Sequence, residues 1–198
     1  MMRLRNCCGA SFPACLPITV NPQPIAPELA GPDTVCSNGG SYLYSFANQQ
    51  AGANYTWTVP AGAVLTGTED SVSVLFSNAV SGQVCVSAQN LCGTAGPVCR
   101  TVHVKPAPSA DLNGTPEICT GESVSLNFAL TGTAPFDVTW TDGVQNFVLN
   151  GISNGHSVTV SPTQNTTYSL LGIGDNGTPT CSSVLADSVT VAVWPLEQ

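Results

Sequence analysis

The stretch N-L-C-G-T-A-G-P-V-C-R-T-V-H-V, residues 90–104, decides how this sequence folds. Its two cysteines, Cys92 and Cys99, enclose glycine and proline residues that favour a turn, and the alternating segment Val102-His103-Val104 follows. Alternation of apolar and polar residues is typical of a β-strand that buries one face. The stretch therefore predicts a β-hairpin whose tip is closed by a Cys92–Cys99 disulfide.

The same pattern occurs a second time near the start of the chain. Residues 6–20 read N-C-C-G-A-S-F-P-A-C-L-P-I-T-V, and the matching cysteines at positions 8 and 92 lie 84 residues apart. We therefore expect residues 1–21 to be the tail of a preceding repeat, with a stapled turn and a last strand. Residues 22–106 then form the first complete domain and residues 107–198 the second, and the sequence is expected to be a piece of a longer exported protein.

Composition points to a β-rich protein of an oxidising compartment. Only 8% of the 198 residues are charged, 42% are hydrophobic, and the net charge is −8. This balance disfavours nucleic acid and anionic membrane surfaces as partners, and no stretch reaches the roughly 20 apolar residues needed to span a membrane. Nine cysteines in such a chain predict disulfides and an extracellular or cell-surface location. No signal peptide is visible.

Short alternating segments run through both predicted domains. In the first, Tyr55, Trp57 and Val59 share one face, and in the second Phe136, Val138 and Trp140 do so. Turn signals such as Asp142-Gly143 separate the segments. We therefore predict an all-β chain of tandem β-sandwiches with about seven strands each. Pro-rich linkers, as at Pro106 and Pro108, would join them.

The spacing of the cysteines predicts two local and two long-range disulfides, with Cys7 either left over as an odd thiol or competing with Cys8 for Cys15. The predicted pairs are Cys8–Cys15, Cys92–Cys99, Cys36–Cys85 and Cys119–Cys181. Cys85 is out of phase with Val84 and Val86 in its strand. If those valines face the core, a bond from Cys85 lies at a sheet edge or on the outer face.

Other chemistry-bearing residues have ordinary structural explanations. Trp57 and Trp140 are predicted to be core aromatic residues, whereas Trp194 is the better candidate for an exposed contact. Turn chemistry explains Asp142, Asp175 and Asn176 better than a Ca²⁺ site does. His103 and His156 have no nucleophile or carboxylate at a motif spacing. We therefore predict no catalytic, cofactor-binding or metal-binding residues, and no enzyme.

Several motifs resemble known repeat families. Y-T-W-T-V-P-A-G-A (55–63) and N-L-C-G (90–93) are similar to PKD-like repeats of large bacterial surface proteins. I-C-T-G-E-S-V-S-L (118–126) and T-A-P-F-D-V-T-W-T-D-G (133–143) are similar to the Ig-like repeats often found beside them. The resemblance implies a PKD-like sandwich followed by an Ig-like sandwich. It also implies export by the type IX system of gliding and biofilm-forming bacteria, and a stalk, adhesin or matrix role.

The resemblance also implies one modification. Such bacteria attach O-glycans at Asp-Ser/Thr-apolar triplets, which predicts glycosylation at Thr34, Ser71 and Ser188. The alternative is that each triplet is a turn aspartate before a strand.

The sequence therefore predicts a non-catalytic structural or adhesive segment that acts as a disulfide-stapled rod or display module. Its expected partners are neighbouring repeats of the same protein, and surface glycans or other cells. One alternative is a carbohydrate-binding module, which an exposed aromatic platform would favour. A second alternative is a self-assembling subunit that donates residues 8–20 as a strand to a neighbouring molecule.

Overall fold

The computed structural model describes residues 5–6, 9–10, 22–67 and 70–196. Within these ranges the regular elements are strands and no helix occurs. Strands β1 (Arg5–Asn6) and β2 (Gly9–Ala10) pair with each other. The predicted Cys8–Cys15 bond, the leftover Cys7 and most of the donor segment 8–20 lie outside the described residues.

The first sandwich consists of two four-stranded sheets. Its strands are β3 (Glu28–Ala30), β4 (Thr34–Cys36), β5 (Ser41–Ala47), β6 (Asn54–Thr58), β7 (Val64–Thr66), β8 (Ser71–Leu75), β9 (Gly82–Asn90) and β10 (Gly93–Lys105). One sheet has the order β4-β10-β9-β6 and the other the order β3-β5-β8-β7. Strand β4 runs parallel to β10 at the edge of the first sheet, whereas the other pairs are antiparallel.

The second sandwich follows after a short linker, residues 106–108. Its strands are β11 (Ser109–Asn113), β12 (Glu117–Cys119), β13 (Val124–Thr131), β14 (Phe136–Thr141), β15 (Asn146–Ile152), β16 (His156–Val160), β17 (Thr166–Asp175), β18 (Ser182–Val184) and β19 (Ser188–Trp194). One sheet has the order β11-β13-β16. The larger sheet has the order β12-β19-β17-β14-β15, with β18 also paired to β17.

Each sandwich encloses a hydrophobic core of its own. In the first, Tyr44 and Val74 of one sheet meet Val84 and Val102 of the other, and all four are fully buried. In the second, Phe128 packs edge to face on Trp140 across the two sheets. The strict alternation of buried and exposed residues in β13 explains why sequence periodicity finds these strands. The predicted all-β tandem sandwich is confirmed, with eight and nine strands in the described parts.

The predicted hairpin of residues 90–104 exists, but its turn lies elsewhere. The chain reverses at Leu91-Cys92, between β9 and β10, rather than between the two cysteines. Gly96 and Pro97 lie instead in a register shift inside β10, between Ala95 and Val98. Glycine and proline here mark a β-bulge rather than a turn.

Candidate functional site

The predicted Cys92–Cys99 and Cys36–Cys85 bonds are wrong, because Cys85 pairs with Cys99. These two residues are directly opposite each other in the β9–β10 ladder, and both point away from the core that Val84 and Val86 enter. Cys36 lies opposite Lys105, six residues along β10 from Cys99. At about 3.3 Å per residue this separation is roughly 20 Å, far beyond the span of a disulfide.

The predicted Cys119–Cys181 bond is also wrong. Cys119 lies opposite Trp194, beyond the Thr166 end of β17. Cys181 precedes Ser182, which pairs with Gly174 at the other end of β17. Eight residues of extended strand separate these two levels, which is more than about 25 Å. Cys119 is exposed with a free thiol.

A disulfide joins the two sandwiches. Cys36, the last residue of β4, is bonded to Cys181, with an S–S distance of 2.05 Å and a Cα–Cα distance of 5.6 Å. The bond spans 145 residues of sequence and is buried at both cysteines. Cys36 is held in place within the first sandwich, since its backbone N–H donates a hydrogen bond of 2.9 Å to the Tyr42 hydroxyl.

A buried ion pair lies beside the disulfide. The Lys105 ammonium group, at the end of β10, donates a hydrogen bond of 2.9 Å to Asp175 Oδ1 and lies 2.8 Å from Oδ2. It also donates to the carbonyl oxygen of Pro179 at 3.2 Å. Asp175 is only 1% exposed. A Cβ added to Gly177 would collide with the Lys105 ammonium group, so the glycine leaves room for this contact.

The loop around Asp175 keeps this carboxylate ionised. Burial raises the pKa of Asp175, but the hydrogen bond from Lys105 and those from the backbone N–H groups of Cys181 and Gly177 outweigh it. The net effect holds the pKa of Asp175 below its ordinary value. The carboxylate therefore links the second sandwich's own loop to the last strand of the first sandwich.

Hydrogen bonds fix the linker and the remaining edge of the joint. The Ala107 N–H donates to Ser37 Oγ at 3.0 Å, and the Ser183 hydroxyl donates to the Pro108 carbonyl oxygen at 2.6 Å. The Asn38 side-chain amide donates to the Ser182 carbonyl oxygen at 2.7 Å. We call this assembly, formed by residues 36–38, 105–108 and 175–183, the interdomain joint.

The predicted core tryptophans differ in burial. Trp140 is 2% exposed in the second core, and Trp57 is half-buried against the first core. Trp194 is 58% exposed at the end of the second sandwich opposite the joint. Its indole N–H donates to Glu117 Oε2 at 3.1 Å.

The acidic turn residues do not come together. Asp175 is at the joint, whereas Asp142 lies at the other end of β14, where its Oδ1 accepts hydrogen bonds from the N–H groups of Val144 and Gln145. These backbone bonds lower the pKa of Asp142. In the ranges that the structure describes, no group of three or more His, Cys, Asp or Glu residues could hold a metal ion. Those ranges also contain no helix of the length and apolarity that a membrane span requires.

The three predicted glycosylation sites start strands. Thr34 and Ser71 are half-buried, and each hydroxyl donates to the carboxylate of the preceding aspartate. Ser188 is exposed at the start of β19. Their glycosylation stays a prediction.

Sequence reasoning missed Lys105 and the partner of Cys36. One signal was available, because Lys105 is the only lysine of the chain and directly precedes the linker proline Pro106. The only lysine of so acidic a chain, placed where two domains meet, indicates a specific carboxylate partner. No comparable signal connects Cys36 with Cys181, since their spacing reflects two separately folded units.

Comparison with known protein families gives a match within the first sandwich. Residues 22–102 match the PKD-like domain family. The matched segment comprises β3 to β9 and most of β10, and it includes Cys36 of the joint. A search of curated proteins found no match.

Solved structures resemble the chain only distantly. The mouse coronavirus receptor-binding domain complexed with its murine receptor gives 13% identity and a TM-score of 0.40, covering 84% of this chain and 100% of that one. The human OSCAR ligand-binding domain gives 15% and 0.35, covering 84% and 98%. The Yersinia pseudotuberculosis adhesin InvE gives 14% and 0.29, covering 85% and 58%. The PKD-like match ends at residue 102, so Lys105 and the linker residues of the interdomain joint lie just beyond it.

Proposed function

We propose that this chain is a rod segment of a secreted or cell-surface protein, whose two sandwiches are held in one orientation so that neighbouring parts are displayed at a fixed distance. The observation that carries the proposal is the Cys36–Cys181 bond between the two sandwiches. Domains joined by a linker ordinarily move relative to each other. A covalent bond next to the linker removes most of that freedom.

The rest of the joint supports the same role. The Lys105–Asp175 pair and the serine contacts of the linker restrain the same short segment that the disulfide closes. Two attachment points, the linker itself and the disulfide, prevent rotation about either one alone. A catalytic role would not require such a joint.

The expected location follows from redox chemistry. Both disulfides within the described residues persist only where thiols are kept oxidised, as they are outside the cytosol. The PKD-like match is consistent with an extracellular module. We propose adhesion, gliding motility and type IX export as the setting, on the sequence resemblance alone.

The test is the distance between the far ends of the two sandwiches. Genetically encoded spin labels at Thr94 and Val144, which are both exposed, report this distance by pulsed electron resonance. We expect a single narrow distribution for the oxidised chain and a distribution at least twice as broad for Cys36→Ser/Cys181→Ser. Small-angle scattering of both unlabelled proteins gives an independent measure of the spread.

A matched control is available within the same chain. Cys85→Ser/Cys99→Ser also removes one disulfide, but this bond lies within the first sandwich. We expect this variant to keep the narrow distribution. Equal widths for the oxidised chain and Cys36→Ser/Cys181→Ser would contradict the proposal.

The alternatives have less support. A carbohydrate-binding platform would rest on Trp194, because Trp140 is buried and Trp57 is half-buried, and the indole N–H of Trp194 is already donated to Glu117. The strand-donation hypothesis concerns residues 8–20, of which the structure describes residues 9–10, and these pair with Arg5–Asn6 of the same chain.

A further inference from the structure

Cys119 occupies the same structural position in the second sandwich that Cys36 occupies in the first. Each is the last residue of a short strand that pairs in parallel with the end of the last strand, Cys36 opposite Lys105 and Cys119 opposite Trp194. A proline follows the last strand in both cases, at Pro106 and at Pro195.

The backbone hydrogen bonds around the two cysteines correspond one for one. The residue after each cysteine donates to the end of the last strand, Ser37 to Lys105 O at 2.9 Å and Thr120 to Trp194 O at 2.8 Å. Each cysteine carbonyl also closes a turn, accepting from Gly39 at 3.2 Å and from Glu122 at 3.0 Å. The frame that presents Cys36 to a following sandwich is therefore repeated around Cys119.

The receiving cysteine also has an equivalent in both sandwiches. Cys181 follows β17, and its N–H donates to Oδ1 of Asp175, the last residue of that strand, at 3.0 Å. Cys92 follows β9, and its N–H donates to Oδ1 of Asn90, the last residue of that strand, at 2.8 Å. Each sandwich thus has one cysteine at either end. We call Cys92 and Cys181, which follow a long strand, the incoming cysteines, and Cys36 and Cys119, which end a short strand, the outgoing cysteines.

We propose that Cys119 forms an interdomain disulfide with the incoming cysteine of another sandwich of this kind, seated on the Trp194 end of the second sandwich. The proposal rests on the proposed function, because it extends the joint between the two sandwiches to a further domain. In this bond two thiols lose two electrons and two protons to a disulfide oxidant of the compartment, which is itself reduced to two thiols.

The surface around Cys119 fits a buried interface better than open solvent. Trp194 and Leu196 expose 58% and 68% of their surface beside it. Together with Ile118 and Pro195 they line a pocket with a volume of about 550 Å³. Exposed apolar groups in one concave patch are typical of an interaction surface.

Charge indicates which incoming loop fits. At the joint, Lys105 meets Asp175, but Trp194 takes the place of Lys105 at the Cys119 end. Glu117 and Glu122 also lie there, and Glu122 Oε2 accepts the Cys119 N–H at 2.8 Å. A second buried carboxylate would have no cation to neutralise it. The matching loop therefore carries a neutral residue where Asp175 stands, as Asn90 does in the first sandwich.

The test is a tandem chain built from the protein itself. Residues 1–197 are followed by a second copy of residues 109–196 that carries Asp175→Asn, so that Pro195-Leu196-Glu197 replaces Pro106-Ala107-Pro108 as the linker. After oxidation in a glutathione buffer and alkylation of remaining thiols, disulfides are mapped by mass spectrometry. We expect Cys119 bonded to the copied Cys181, together with the original Cys36–Cys181 bond.

Two comparisons sharpen the result. With Cys119→Ser the copied Cys181 should become fully alkylated, and with an unaltered Asp175 in the copy the Cys119 bond should form severalfold less. An alkylated Cys119 in a tandem chain that retains Cys36–Cys181 would overturn the proposal and leave the rod function intact.

If the tandem chain does not form the Cys36–Cys181 bond, a peptide replaces the appended domain. A synthetic peptide of residues 174–185 with Asp175→Asn is added to the full chain in the same buffer. We expect at least fivefold more mixed disulfide at Cys119 than with a scrambled peptide, and equal yields would overturn the proposal.

Discussion

The Lys105–Asp175 pair shows how one residue contact can connect two domains. Lys105 belongs to the first sandwich and Asp175 to the second, and only 15% of the lysine side chain and none of the aspartate side chain are exposed. A buried pair of this kind adds little net stability when compared with apolar residues, but breaking it leaves an uncompensated charge. The pair therefore makes correct docking of the two sandwiches a condition for satisfying Asp175.

Replacing Lys105 should show how far the buried Asp175 depends on this cation. We expect Lys105→Met to lower the free energy of unfolding of the second sandwich by about 2 kcal/mol at pH 7, because Asp175 keeps its two backbone hydrogen bonds but loses its cation. Urea denaturation measures the difference. Asp33→Asn is the matched control, since the Arg100–Asp33 pair is long at 3.9 Å and exposed, and it should change stability by less than about 0.5 kcal/mol.

The pH dependence has a definite sign. The folded-state pKa of Asp175 is lowered, so its contribution to stability is present above the ordinary value of 3.8 and is lost as the pH falls through the folded-state pKa. The difference in the free energy of unfolding between wild type and Lys105→Met should therefore be full at pH 7 and become smaller below about pH 4. An unchanged difference at pH 3 would mean that Lys105 stabilises the protein through packing alone.

At the scale of single elements, periodicity predicts strands well and partners poorly. The alternation in β13 and β14 identifies their buried faces, and the phase of Cys85 against Val84 and Val86 correctly indicated an outward-facing sulfur. The register of β9 against β10 could not be predicted, because it depends on a turn at Leu91-Cys92 and on the bulge at Gly96-Pro97, which adds one residue to β10. With this extra residue Cys99 lies opposite Cys85, where Val98 would lie without it.

The hairpin bond should contribute measurably to the first sandwich. Cys85–Cys99 closes a loop with a sequence separation of 14 residues, for which the chain-entropy model gives about 3 kcal/mol. Because the β9–β10 ladder also holds these strands, we expect Cys85→Ser/Cys99→Ser to lose about 2–3 kcal/mol in urea denaturation. The second sandwich should unfold at an unchanged midpoint, and a shift there would show that the bond acts beyond its own hairpin.

At the scale of the whole molecule, the sequence predicts β-sandwiches but not how they meet. Composition, alternation and the linker prolines are properties of each unit, and each unit buries its own core. The joint depends on which ends of the two sandwiches face each other, as with Cys36 and Cys181, and no local pattern records this. Pairing Cys36 and Cys181 with cysteines of their own domains was therefore the natural choice from sequence, and it was wrong.

The Cys36–Cys181 bond also determines how the chain would carry tension. A pulling force applied at both termini passes along the chain to Cys36, crosses the sulfur atoms to Cys181, and leaves through the last strand. Residues 37–180 form a closed covalent loop outside this covalent path, so tension between the termini cannot extend them, although they include most of both cores.

The disulfide should therefore limit how far the chain extends under load. In single-molecule pulling between the termini, Cys36→Ser/Cys181→Ser should release roughly 450 Å more contour length than the oxidised chain, at about 3.5 Å per residue and with the Cys85–Cys99 loop still closed. Cys85→Ser/Cys99→Ser should release no more than the oxidised chain, because its bond lies inside the shielded loop. Under oxidising conditions the chain would then act as an almost inextensible tether, and reduction would convert it into one that lengthens several-fold before it breaks.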